Sequence, residues 1–94
     1  MKEIEKYSNP KIVLSKAIKL FGKNVKINYS TRKDKKYMIY NPNNNKWVHF
    51  GQMFYEDYTK HRDKLRRNLF RQRNHRWANS DIYTPAYLSY HLLW

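Results

Sequence analysis

Lys36-Tyr37-Met38-Ile39-Tyr40, then Asn41-Pro42-Asn43-Asn44-Asn45, then Lys46-Trp47-Val48-His49-Phe50 make one unbroken run, and its reading decides the fold. Two short blocks carry aromatic and β-branched side chains, which suit a pleated, half-buried surface. Between them lies a block of turn formers: Asn tolerates positive φ and Pro pre-sets φ. The run predicts a β-hairpin with strands over 36–40 and 46–50, ended by Gly51. Strand alternation puts Tyr37 and Ile39 on one face, Met38 and Tyr40 on the other. With Val48 and Phe50 turned inward, Trp47 and His49 point outward.

Toward the N-terminus, Val25, Ile27 and Tyr29 alternate with Lys26, Asn28 and Ser30. This predicts a third strand, joined to the hairpin by the polar turn Thr31 to Lys35. Before it, Ser8 or Asn9 offers a helix cap, Pro10 suits the first helical position and Gly22 stops the helix. Val13, Leu14, Ala17, Ile18 and Phe21 form its apolar stripe. Residues 1–8 are expected to fray. Toward the C-terminus, a second helix is expected from near Asp57 or Thr59 to near Asn74. Thr84-Pro85 opens a last short helix that docks Leu88, His91, Leu92 and Trp94 on the core. The expectation is one domain over 1–94 of α+β class: an N-terminal helix, a small three-stranded antiparallel sheet, a basic helix and a short C-terminal helix.

Charge sets the kind of partner. Twenty Lys and Arg against seven Asp and Glu give a formal net charge of +13 in 94 residues. Such an excess repels itself in a compact chain and is tolerated where a polyanion or an acidic surface neutralises it. Aromatic residues make up 17% of the chain, which argues against disorder. There is no Cys, so disulfides and thiolate metal sites are excluded. No apolar run is long enough to span a membrane. The start Met1-Lys2-Glu3-Ile4-Glu5 lacks the apolar core of a signal peptide, so an intracellular protein with no membrane partner is expected.

Catalytic readings find little support. His61-Arg62-Asp63 followed by Asn68 has the spacing of a kinase catalytic loop, yet no Gly-rich loop, strand lysine or Asp-Phe-Gly accompanies it. His49, His61, His75 and His91 have no metal-pair spacing. Glu56, Asp57, Asp63 and Asp34 invite a magnesium reading, but Glu56 and Asp57 suit the positive end of a helix dipole better. Asp63 is read as an i,i+4 partner of Arg67. The chain is therefore read as non-enzymatic, with no cofactor and no metal.

The cations fall into two groups. Projected at 100° per residue, Lys60, Lys64, Arg67 and Arg71 share one side of the second helix, with His61, Leu65 and Leu69 opposite. Arg32, Lys33, Lys35 and Lys36 crowd the turn before the hairpin. Both groups are expected to contact phosphates, and Trp47 is the candidate for stacking on a base.

Several stretches carry a resemblance: Ser30-Thr31-Arg32-Lys33-Asp34-Lys35-Lys36-Tyr37-Met38, Lys46-Trp47-Val48-His49-Phe50-Gly51-Gln52-Met53, Tyr55-Glu56-Asp57-Tyr58-Thr59-Lys60-His61-Arg62-Asp63 with Arg66-Arg67, and Leu92-Leu93-Trp94. From about Ala17 to Trp94 the chain resembles a family of small basic proteins from nucleocytoplasmic large DNA viruses, the giant viruses. It departs from them at Phe54, where Gly is common. The resemblance implies a viral context, inside an infected host cell or in the virion, and no functional residues. The resulting expectation is a sequence-nonspecific partner of double-stranded DNA. The alternative is a minor capsid or core-assembly protein that turns the same surface toward acidic capsid or core proteins.

Overall fold

The computed structural model describes residues 3–94. The architecture is the expected α+β arrangement, with an N-terminal helix, a three-stranded antiparallel sheet and a short C-terminal helical segment. Helix α1 spans Pro10–Phe21. Asn9 caps it, its Oδ1 accepting from the Lys11 N–H at 3.2 Å, and Gly22 ends it at φ 96°. Val13 and Ala17 are buried, whereas Leu14 and Ile18, on the margin of the predicted stripe, stay exposed.

Strands β1 (Ile27–Tyr29), β2 (Lys35–Asn41) and β3 (Lys46–Gln52) follow in the order β1-β2-β3. Tyr37 pairs with Tyr29 and Phe50, and Ile39 with Ile27 and Val48. The turn uses its asparagines as the composition suggests. Asn41 Oδ1 accepts from Asn43 N–H at 2.9 Å, Asn44 Oδ1 accepts from Lys46 N–H at 3.1 Å, and Asn45 sits at φ 60°. Strand β3 runs through Gly51 rather than ending there. Gly51 has φ 82°, and a Cβ on it would stand 2.9 Å from Leu93 Cδ1 and 3.2 Å from Lys36 Cβ. Only a residue without a side chain fits so close an approach.

The inner sheet face (Tyr37, Ile39, Phe50) packs with Val13 and Ala17 of α1 and with Leu88, Leu92 and Leu93. The leucines come from α4 (Pro85–Leu88) and the π-helical turn Ser89–Leu93 that continues it. Thr84 caps α4 as expected, its Oγ1 accepting from Tyr87 N–H at 3.3 Å. Deleting any one of these buried leucine side chains would cost about 2–5 kcal/mol.

Two expectations are corrected. Over residues 3–8 the lead does not fray. Glu3–Lys6 forms a 3-10 turn, Ile4 enters the core and Ser8 is buried; Met1 and Lys2 lie outside the described residues. The second helix is two pieces, α2 (Tyr58–His61) and α3 (Lys64–Arg73). Arg62 at φ 58° turns the chain in the left-handed region between them. Asp63 then caps α3, its Oδ1 accepting from Leu65 and Arg66 N–H at 3.0 and 3.2 Å. Asp63 is thus a helix start, where Asp is favoured, and not a side-chain partner of Arg67.

Candidate nucleic-acid interface

Helix α3 faces the opposite way from its sequence projection. Leu65 and Leu69 are 67% and 51% exposed, while Arg67, Phe70 and Arg71 are half-buried. Arg67 Nε donates to the Trp94 carbonyl oxygen at 2.8 Å, and Arg71 donates to the same oxygen at 3.1 Å. The guanidinium of Arg67 lies 4.9 Å from the Tyr58 ring centroid, and that of Arg71 lies 5.0 Å from Tyr90. Phe70 stacks on Trp94 with centroids 4.3 Å apart and planes 7° from parallel. Arginine can spend its planar head and apolar stem inside a domain in this way. Burial, and then the neighbouring Arg67, lower the Arg71 pKa. These two cations serve the fold, contrary to the expectation that both face solvent.

Lys36 is also corrected. It is 2% exposed, and its Nζ donates to Asp57 Oδ2 at 3.0 Å and to the carbonyls of Tyr55 and Tyr7. Burial pulls its pKa below that of a free lysine, and the Asp57 carboxylate opposes the pull. Asp57 ends a hydroxyl chain: Tyr37 donates to Ser8, Ser8 meets Thr59 at 3.2 Å, and Thr59 donates to Asp57 Oδ1. Because the Thr59 proton is spent on Asp57, Ser8 is the donor to Thr59. The chain ties the N-terminal segment, β2 and the start of α2 through groups that would be costly to bury unpaired.

The remaining cations stay in solvent. Arg32 and Lys33 are exposed in the turn and Lys35 is half-exposed at the start of β2. Lys60 and Lys64 are exposed on either side of the Arg62 break, so they do not share one helix face. Among the described residues, none of these five has a carboxylate within ion-pair distance. One further cation escapes a reading of the second helix alone. Lys16 of α1 is half-buried, and its pKa is lowered by burial and then by Arg67, Arg71 and Arg62. Arg62 stands over the Tyr58 ring at 4.6 Å. Lys16 lies on another element, so no projection of the second helix reaches it.

Trp47 is placed as expected, 41% exposed and turned away from the core. It meets Tyr40 across the hairpin, centroids 5.4 Å apart at 65°. Lys26 Nζ lies 5.1 Å from the Tyr40 ring centroid. Ser30 Oγ and His49 Nδ1 are 2.7 Å apart, and burial and then Arg32 lower the His49 pKa. Glu56 is exposed, and Asp57 is spent on Lys36 and Thr59. Among the described residues, no three acidic or histidine side chains gather as a metal site, and no helix is long and apolar enough to cross a membrane.

A family model described as a family of unknown function (DUF5754) matches residues 25–74, just over half the chain. No curated protein and no solved structure matches it.

Proposed function

The chain belongs to this family of unknown function, and from its surface chemistry we propose a non-enzymatic, sequence-nonspecific DNA-associated protein that neutralises backbone phosphates. Following the resemblance noted above, the DNA is that of a large DNA virus, bound in the infected cell or in the virion. One observation carries the reading: Arg32, Lys33, Lys35, Lys60 and Lys64 reach solvent with no carboxylate within ion-pair distance among the described residues. Cations of this kind displace the condensed counterions of a polyanion into the solvent, and that release supplies most of the affinity. Arg67, Arg71 and Lys36 drop out of the contact set because they are spent inside the domain.

The test is a titration against random-sequence duplex DNA at several salt concentrations. Four to six phosphate contacts give a slope of log K on log salt of about −4 to −5. A flat response, or no binding at low salt, removes the reading.

A second reading, a capsid or core-assembly protein, is favoured by exposed apolar groups. Leu65, Leu69, Phe54 and Tyr55 are each more than half exposed, and such groups anchor protein interfaces. Sedimentation of the purified protein over a range of concentrations checks it. Association abolished by Leu65→Lys with Leu69→Lys supports it.

A further inference from the structure

The outer face of the sheet carries Asn28, Met38, Tyr40, Trp47 and His49, opposite the row that enters the core. We infer that this face stacks the unpaired bases of a single-stranded nucleic acid, with Trp47 and Tyr40 as the platform. The inference rests on the phosphate-binding reading and narrows its partner, because a duplex hides the base faces that a single strand offers.

Three observations support it. The indole of Trp47 stays partly in solvent although the core of so small a domain gains from every aromatic ring it can bury. The pair with Tyr40 is edge-to-face, so the two rings do not cover each other. Cations border this face: Lys26 Nζ lies 5.1 Å from the Tyr40 ring centroid, and exposed Arg32 acts on His49 farther along it. Rings bordered by cations are complementary to bases on a phosphate backbone. A cross-strand aromatic pair also steadies a hairpin, so the test must separate stacking from stability.

The full chain is labelled with 5-fluorotryptophan, and its three tryptophans are assigned by Trp47→Phe and Trp77→Phe. Oligothymidylate of about 12 nucleotides is added. The Trp47 resonance is expected to shift, and that of Trp94, stacked on Phe70, to stay. In parallel, Trp47→Ala is expected to weaken oligothymidylate binding about tenfold or more while changing duplex binding less than about twofold. If Trp47→Ala fails to fold, the labelled parent chain decides alone. A silent Trp47 at saturating oligothymidylate, with duplex still bound, overturns this inference and leaves phosphate binding intact. Absence of binding to either strand form at low salt overturns both.

Discussion

Arg67 donates from Nε to the carbonyl oxygen of Trp94 across 27 residues of chain, at 2.8 Å. The bond reverses the usual assignment of a basic helix face. The side of α3 that carries Arg67 and Arg71 is the docking side, and the leucines look outward. Charge in the sequence therefore reports on packing here as much as on partners.

Removing this clamp should cost stability. Arg67→Gln with Arg71→Gln is expected to lower the unfolding free energy by about 2–4 kcal/mol, since each hydrogen bond involves a charged donor but is only half-buried. Lys64→Gln should stay within about 0.5 kcal/mol of the parent. Urea titrations of the two variants compare them directly. Equal, small effects would show that the carbonyl contacts carry no weight.

Lys36 is more demanding. Lys36→Met leaves the Asp57 carboxylate buried without its cation, and the expected loss is about 3–5 kcal/mol. Adding Asp57→Asn should return part of it, because no unpaired charge then remains. Recovery should be incomplete, since Asp57 also caps α2. Thermal melts of the single and double variants measure the coupling, and strict additivity would argue against the pair.

The turn should act on binding and not on the fold. Arg32→Gln, Lys33→Gln and Lys35→Gln together should flatten the salt slope for duplex DNA by about 2–3. Their stability change should be within about 1 kcal/mol, as they lie at the surface with no ion pair among the described residues. An unchanged slope would move the phosphate contacts to other cations.

Tyr37 gives the fold an alkaline limit. Burial raises its pKa above the ordinary value of 10.0, so the folded chain keeps a proton that the unfolded chain loses. The unfolded state then binds fewer protons, and stability falls as pH climbs past 10 toward the folded pKa. Lys36 acts in the opposite sense. Its folded pKa lies below 10.5, so stability rises with pH between that folded value and 10.5. The difference between the parent chain and Tyr37→Phe isolates the tyrosine. In urea titrations from pH 9 to 11, the variant should lose stability less steeply. Parallel curves would contradict the assignment.

How much of this is legible in the sequence depends on range. The hairpin, the Asn9-Pro10 and Thr84-Pro85 helix starts and the outward Trp47 follow from residues a few positions apart, and the structure places them so. The break at Arg62 is not legible in the same way. Few non-glycine residues adopt positive φ, and the cap signal of Asp63 is masked by helix formers on both sides. The inversion of α3 has a similar cause. Its apolar residues are only Leu65, Leu69 and Phe70, too few to fix a face against arginines that find a carbonyl and two tyrosine rings. Lys36 owes its burial to Asp57, 21 residues away, beyond any local pattern.

The core also sets a limit on autonomy. Stretch 25–74 supplies Tyr37, Ile39 and Phe50, but their packing partners Val13, Ala17, Leu88, Leu92 and Leu93 all lie outside it. The buried hydroxyl chain is likewise cut, because Ser8 would be missing. An excised 25–74 peptide would keep the hairpin's local contacts and lose most of its buried apolar area, and an isolated hairpin is at best marginally stable in water. Residues 25–74 of this chain are therefore not a self-sufficient folding unit. In this chain the flanking helical segments close the underside of the sheet. Amide exchange on the excised peptide should show protection near random coil, against slow exchange for the same amides in the full chain.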